Sequence, residues 1–302
     1  RQSEWMSAMR RGDFEAAWQV SDMVLAERRT RRENCSRWPR HLQFIWDGSD
    51  FDGRHVLVRC YHGLGDTLQY VRLLASLRQR ARSVTLWAQQ PLLDVLARVR
   101  GIDRLLPLHD GVPDVEYDVN IEIMELAHAL RITIEDLPGA IPYIEYARTN
   151  RCHRTRRSLH VGIVWRSGNW DPLRSIPPEQ LRPLADTGIV FHSLQYPPEP
   201  LPFETRAMAC SDIDVMARRM IGLDLVISVD TMVAHLAGAL GLPTWLLLHE
   251  RPDWRWLEGR DDSPWYPTMR IFRKHTPSWE TAVDEVRQQL IVDQSIDREE
   301  AV

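Results

Sequence analysis

A two-lobed α/β protein built on parallel sheets is what this sequence predicts, on three observations. The first is length, since 302 residues exceed the size at which one hydrophobic core usually stops growing. The second is rhythm. From about residue 54 short β-branched runs alternate with helical patterns, a Pro- and Arg-rich stretch from Leu137 to Arg157 interrupts them, and the alternation then restarts. Strands alternating with helices imply parallel sheets covered on both faces. The third is an internal echo: Val56–Arg59 leads into Gly65-Asp66-Thr67 and a helical pattern, and Leu225–Val229 leads into Asp230-Thr231 and another.

Residues 1–45 form a helical N-terminal segment. Two helical patterns within 5–30 are separated by Gly12-Asp13, with Phe14, Trp18, Met23 and Leu25 among the apolar positions. The run Gly12-Asp13-Phe14-Glu15-Ala16-Ala17 resembles part of a tetratricopeptide repeat. A single such unit cannot bury its own face and must pack on something else.

Residues 46–150 are the expected first lobe. Its strands are His55–Arg59, Val84–Ala88, Arg104–Leu108 and Tyr117–Ile121. Leu68, Val71, Leu74 and Ala75 mark one helix face, and Pro91–Val99 reads as a second helix. Residues 151–302 are the second lobe, with strands His160–Trp165, Val190–Leu194, Leu225–Val229 and Thr244–Leu248. Its helices are expected at Pro178–Ala185, Asp212–Gly222, Thr231–Leu240 and, closing the lobe, 278–292.

Composition narrows the function classes. The 38 basic and 42 acidic residues are mixed along the chain, whereas a nucleic-acid binder clusters its basic residues. Cys35, Cys60, Cys152 and Cys210 lie far apart with no zinc spacing, which fits reduced thiols. No apolar run approaches the roughly 20 residues that span a bilayer, so no transmembrane segment is expected. The polar N-terminus lacks a signal-peptide core. A cytoplasmic location follows, free or at the face of the inner membrane.

Four motifs stand where strands hand over to loops. In Tyr61-His62-Gly63-Leu64-Gly65-Asp66-Thr67, the glycines let backbone approach a ligand and the following helix start offers amide donors. The plain alternative is a tight turn with Asp66 capping the helix. In Ser228 through Gly241, a strand ends on Asp230 and a helix of small residues begins. The amides of Thr231, Met232 and Val233 there form an anion site, aided by a helix-end charge of about +0.5. His235 lies one turn after Thr231; its alternative is a histidine packed against the sheet. Third comes Trp165-Arg166-Ser167-Gly168-Asn169 with Arg174-Ser175-Ile176, where the Arg174 guanidinium suits a phosphate. Fourth, Trp254, Trp256, Trp265 and Tyr266 surround Asp253, Arg255 and Arg260, giving either a platform for a base or sugar ring or a staple for a long loop.

Taken in order, these pieces resemble glycosyltransferase family nine, the ADP-heptose-type heptosyltransferases, especially members fused to tetratricopeptide repeats. The resemblance rests on Gly63-Leu64-Gly65-Asp66-Thr67-Leu68-Gln69, Val161-Gly162-Ile163-Val164-Trp165, Arg174-Ser175-Ile176, Ser193-Leu194-Gln195-Tyr196, Asp230-Thr231 through His235-Leu236-Ala237-Gly238, and Asp253-Trp254-Arg255-Trp256. It implies the GT-B fold, two Rossmann-like lobes whose parallel sheets face a central cleft. It further implies inverting transfer of a sugar from a nucleotide-diphosphate donor without a metal or other cofactor, to an acceptor (glycan, lipid or protein) that the sequence does not name.

By this resemblance Asp66 is the general base, with His62, Gly63 and Gly65 on the acceptor side. Trp165, Ser167, Gly168, Arg174, Gln195, Asp230, Thr231, Met232, Val233 and His235 serve the donor. Two departures bear on the donor: Tyr61-His62 stands where repeat-fused relatives carry Glu-Gln, and Arg174 where lipopolysaccharide enzymes carry lysine. ADP-heptose is the family default. A base for the acceptor proton and positive charge for the leaving diphosphate are what such chemistry needs. Asp261-Asp262 precedes Ser263-Pro264 in a loop and reads as surface, not a metal-binding pair. The rival readings are a nucleotide-sugar epimerase of the same fold and a catalytically silent, repeat-associated binding module.

Overall fold

The computed structural model describes residues 1–31, 35–137, 139, 141–147, 159–168 and 171–299, the side chains of 295–299 excepted. Cys152, Asn169 and most of the expected linker between Leu137 and Arg157 lie outside the described residues. The chain divides into two compact units. Unit one is Arg1–Glu145 with Trp254–Glu258, and unit two is Tyr146–Asp253 with Gly259–Val302.

Unit one begins with a helical hairpin, α1 (Gln2–Arg11) and α2 (Phe14–Arg31). Gly12 ends α1 at φ 76°, a left-handed cap that glycine adopts without steric cost. Asp13 Oδ1 then accepts the Ala16 amide at 3.1 Å and starts α2. The hairpin buries its apolar face within the unit: Trp18 Nε1 donates to the Ile132 carbonyl at 2.8 Å, and Asp22 Oδ1 lies 2.9 Å from His128 Nε2.

Then follow β1 (His55–Arg59), α3 (Leu64–Tyr70), α4 (Leu74–Arg80), β2 (Ser83–Ala88), α5 (Leu93–Leu96), β3 (Arg104–Pro107), β4 (Val119–Glu122) and α6 (Leu126–Ala129). The helix expected over Pro91–Val99 is shorter, a 3-10 turn at Gln90–Leu92 leading into α5. The four strands pair in parallel in the order β3-β2-β1-β4.

Unit two contains β5 (His160–Val164), β6 (Val190–Ser193), β7 (Arg206–Ala207), α7 (Ile213–Met220), β8 (Leu225–Val229), α8 (Met232–Ala239), β9 (Thr244–Leu248), β10 (Met269–Arg273) and α9 (Glu280–Glu299). All six strands are parallel, in the order β10-β9-β8-β5-β6-β7. Numbered within this unit, that is 3-2-1-4-5-6, the order of dinucleotide-binding sheets. One face packs Val161, Ile163, Ile227 and Phe272 with Val283, Val286 and Leu290 of α9. The helix expected over Pro178–Ala185 is a 3-10 helix running to Thr187. Pro183 lies inside it, and a residue without an amide hydrogen cannot complete an α-helical ladder.

The small residues of α8 have a packing reason. A Cβ on Gly238 would stand 2.3 Å from Tyr266 Cδ1, and Tyr266 is itself fully buried with its hydroxyl 2.9 Å from His235 Nδ1. Gly238→Ala therefore pushes on a ring that cannot retreat to solvent. The expected cost is about 1–3 kcal/mol of stability, read as a lower melting temperature; an unchanged melting temperature would show that the ring yields freely.

Candidate active site

In open parallel sheets, ligands bind at the carboxyl ends of strands where the strand order reverses. In unit two that point lies between β5 and β8, and the loops leaving those strands carry most of the residues the sequence singled out. After β5, the Trp165 carbonyl accepts the Ile176 amide at 2.8 Å and closes a loop. Inside it the Ser167 amide donates to Ser175 Oγ at 3.1 Å, and Ser167 Oγ donates to the Asp171 carbonyl at 3.1 Å. Gly168 is exposed, and a Cβ there would touch nothing. From β6, Gln195 reaches the same loop, its Oε1 accepting the Arg166 amide at 3.0 Å. The Trp165 ring is buried in the core.

Arg174 is surrounded by carboxylates. Nη1 lies 3.3 Å from Asp230 Oδ2, Nε 3.6 Å from Asp171 Oδ2, and Nη2 4.0 Å from Asp253 Oδ2. Asp230 is 3% exposed. It does not cap α8: the capping position is Thr231, and no backbone amide donates to the Asp230 carboxylate among the described residues. Its charge instead faces Arg174 and, at 3.9 Å, His235 Nε2. His235 is buried, with its other nitrogen on Tyr266, so it buttresses Asp230 from inside the unit. The amides of Thr231, Met232 and Val233 are the ones that helix geometry leaves without intrahelical acceptors.

Two members of this cluster escaped the sequence reading. His249, directly after β9, sits 3.6 Å from Asp171 Oδ2. Burial holds its ring below the ordinary histidine range; Asp171 and Asp230 oppose that shift and Arg174 adds to it. Asp171 is the other. His249 stands directly after a strand's carboxyl end, and that position was its available signal; Asp171 lies deeper in the loop after β5 and carried none.

In unit one, the reversal lies between β1 and β4. Glu122, the last residue of β4, is 1% exposed and holds the loop after β1: Oε1 accepts the Tyr61 amide at 3.1 Å and lies 2.9 Å from His62 Nδ1. Burial works against the charged imidazole, but Glu122 outweighs it. With Asp66 adding and Arg255 opposing, His62 titrates above its ordinary range. Asp66 Oδ2 accepts the Gly63 amide at 3.0 Å, and Oδ1 accepts from Arg255 Nη2 at 2.6 Å. A carboxylate has about four acceptor positions, and Asp66 remains 22% exposed, so it can accept further hydrogen bonds. Neither Gly63 nor Gly65 has a positive φ. Gly63 is needed for closeness, since a Cβ there would meet Asp66 Oδ2 at 3.1 Å.

The aromatic run resolves as a staple. Trp254, Trp256, Trp265 and Tyr266 are all buried, so none offers an open platform. Trp254–Trp256 form a 3-10 turn within unit one, where Trp254 meets Trp5 edge-on at 5.2 Å and the turn delivers Arg255 to Asp66. Among the described residues no group of three or more His, Cys, Asp or Glu is placed to hold a metal ion, and no helix is long and apolar enough to cross a membrane. Cys35, Cys60 and Cys210 are free.

No protein-family model matches the chain. Protein FlbA of Caulobacter vibrioides (strain ATCC 19089 / CIP 103742 / CB 15) is 26% identical over 267 residues, covering 75% of this chain and 44% of that protein. The chain thus spans less than half the length of that relative. Among solved structures it is similar to a glycosyl transferase of family 9 from Veillonella parvula DSM 2008, with TM-score 0.56, 14% identity, and 81% and 99% of the two chains covered. The E. coli ADP-heptose LPS heptosyltransferase II gives TM-score 0.53 at 14% identity, with 80% and 99% covered. The iron-containing dodecameric glycosyltransferase TibC of enterotoxigenic E. coli H10407 gives 0.50 at 14% identity, with 78% and 67% covered. The likeness at this identity is one of fold. Two parallel-sheet α/β lobes, matching the GT-B fold of those glycosyltransferase structures, are the architecture of this chain.

Proposed function

We propose that the chain is an inverting glycosyltransferase that moves a sugar from a nucleotide-diphosphate donor, of which ADP-heptose is the first to test. The observation that carries this reading is the pairing of Arg174 with the buried Asp230 at the strand-order reversal of unit two, directly before the start of α8. In the proposed reaction, an acceptor hydroxyl oxygen attacks the anomeric carbon as the bond to the diphosphate breaks. The diphosphate leaves with the electron pair, and the hydroxyl proton passes to Asp66. The amides of Thr231, Met232 and Val233 receive the diphosphate, as helix starts commonly do, and Asp230 accepts hydrogen bonds from sugar hydroxyls. Arg174 already answers three carboxylates. It contributes to the diphosphate site mainly by neutralising carboxylates that would otherwise repel it.

The metal question is open to direct test, because one neighbour in fold is iron-containing. We expect calorimetric titration of the full chain to show binding of ADP and ADP-heptose, with dissociation constants unchanged in excess EDTA. The amides at the start of α8, beside carboxylates that Arg174 neutralises, supply the affinity without a metal. Absence of binding to either ligand would remove the donor assignment, and binding restored only by added magnesium or iron would remove metal independence.

A further inference from the structure

We propose that unit one carries a binding site for an oxyanion, a phosphate or carboxylate group, formed by Arg59 and Arg40 at the carboxyl edge of its sheet with Tyr61 and Tyr117 beside them. Arg59 is the last residue of β1, and its partner in register on β2 is Trp87. Its guanidinium carbon lies 5.9, 5.7 and 5.8 Å from the ring centres of Tyr61, Trp87 and Tyr117. Arg40 enters from the 3-10 turn Arg40–Leu42 and lies 5.3 and 5.5 Å from the Tyr61 and Trp87 rings. Two cations therefore share the same two rings.

Their negative partners are missing or weak. Arg59 donates from Nη1 to the Tyr61 hydroxyl at 2.8 Å and from Nη2 to the Tyr117 hydroxyl at 3.1 Å, both neutral acceptors. No carboxylate lies within ion-pair distance of it among the described residues, and its Nε is buried without a hydrogen-bond partner. Arg40 donates to the His109 carbonyl at 2.7 Å, and its one carboxylate, Asp110 at 3.8 Å, is fully exposed. Two other enclosed guanidiniums, those of Arg174 and Arg255, are matched with carboxylates.

Enclosing two cations around the same rings with so little negative charge beside them is unfavourable, and ring faces offset it only in part. A bound oxyanion completes the balance. Each guanidinium has five donors, so donors remain on both, and their planar forks match phosphate or carboxylate oxygens. The edge of the sheet where they sit is where such sheets take ligands. The site is independent of the transferase reading, whose donor residues belong to unit two.

The test is titration of the full chain with sodium phosphate and, separately, sodium acetate, for the wild type, Arg59→Gln, Arg40→Gln and Arg59→Lys. ADP titration runs in parallel. At least one anion is expected to bind the wild type, at least about 10-fold more weakly to each glutamine variant, with partial recovery in Arg59→Lys and no change for ADP. The tighter of the two anions names the group. Binding of neither anion, or equal affinity in wild type and glutamine variants, overturns the proposal. A wild type that binds phosphate but not ADP would retain this site and lose the donor assignment.

Discussion

Asp66→Asn is expected to lower the single-turnover rate of sugar transfer at least ~100-fold while leaving donor binding intact. The amide keeps the size of the carboxylate and one accepting oxygen, so of the two donors now on separate oxygens, Gly63 on Oδ2 and Arg255 on Oδ1, it can hold one and faces the other with its NH2. What it cannot do is take a proton. A base typically contributes 10²–10⁴-fold. The substitution also removes one charge from the Asp66–Arg255 pair, leaving a guanidinium that is only 7% exposed beside a neutral amide. Because Asp66 is partly in water, that loss is discounted to about 1 kcal/mol, a modest shift in melting temperature. Arg255→Gln supplies the control. It breaks the same ion pair but leaves the carboxylate, so it should reproduce the stability change without the full loss of rate. A near-wild-type rate for Asp66→Asn would reduce the residue to an organiser of the loop. Equal rate losses in both variants would show that the ion pair, not proton transfer, is what matters.

The sequence carried the parts of this site that have a local signature. An apolar run ending in Asp before small helical residues places Asp230 at a strand's carboxyl end with no help from elsewhere in the chain, and β8 and α8 lie where the pattern puts them. The strand β10 was missed because Met269-Arg270-Ile271-Phe272-Arg273 mixes charges with apolar residues and lacks the β-branched run of its neighbours. Glu122 and His249 were missed for a different reason. A single polar residue at the end of a strand looks like surface, and only the fold shows that each is buried among partners. Arg255 and Asp66 are 189 residues apart, and no local pattern links such a pair. Composition likewise made the tryptophan-rich loop equally suited to stacking a ligand or to anchoring itself, and burial alone separates the two.

The second large effect belongs to Arg174. Removing it leaves Asp171, Asp230 and Asp253 facing one another around the vacated position, with Asp230 almost wholly out of water. Breaking a buried pair by deleting one partner costs about 3–5 kcal/mol, and a unit of this size loses roughly 2–4 °C per kcal/mol. Arg174→Ala should therefore melt about 10 °C lower and bind ADP at least about 10-fold more weakly, since carboxylates left without their cation repel the diphosphate. Those two losses do not by themselves say whether the arginine touches the diphosphate or only neutralises carboxylates. The double variant Arg174→Ala/Asp230→Asn separates them, since it removes the cation together with its most deeply buried anion. If neutralisation is the arginine's role, both melting temperature and ADP affinity recover toward wild type. If the guanidinium grips the diphosphate directly, stability recovers and ADP affinity does not. Should Arg174→Ala neither destabilise the protein nor weaken ADP, the carboxylates around it are not held by charge, and the assignment of unit two as the donor side fails with it.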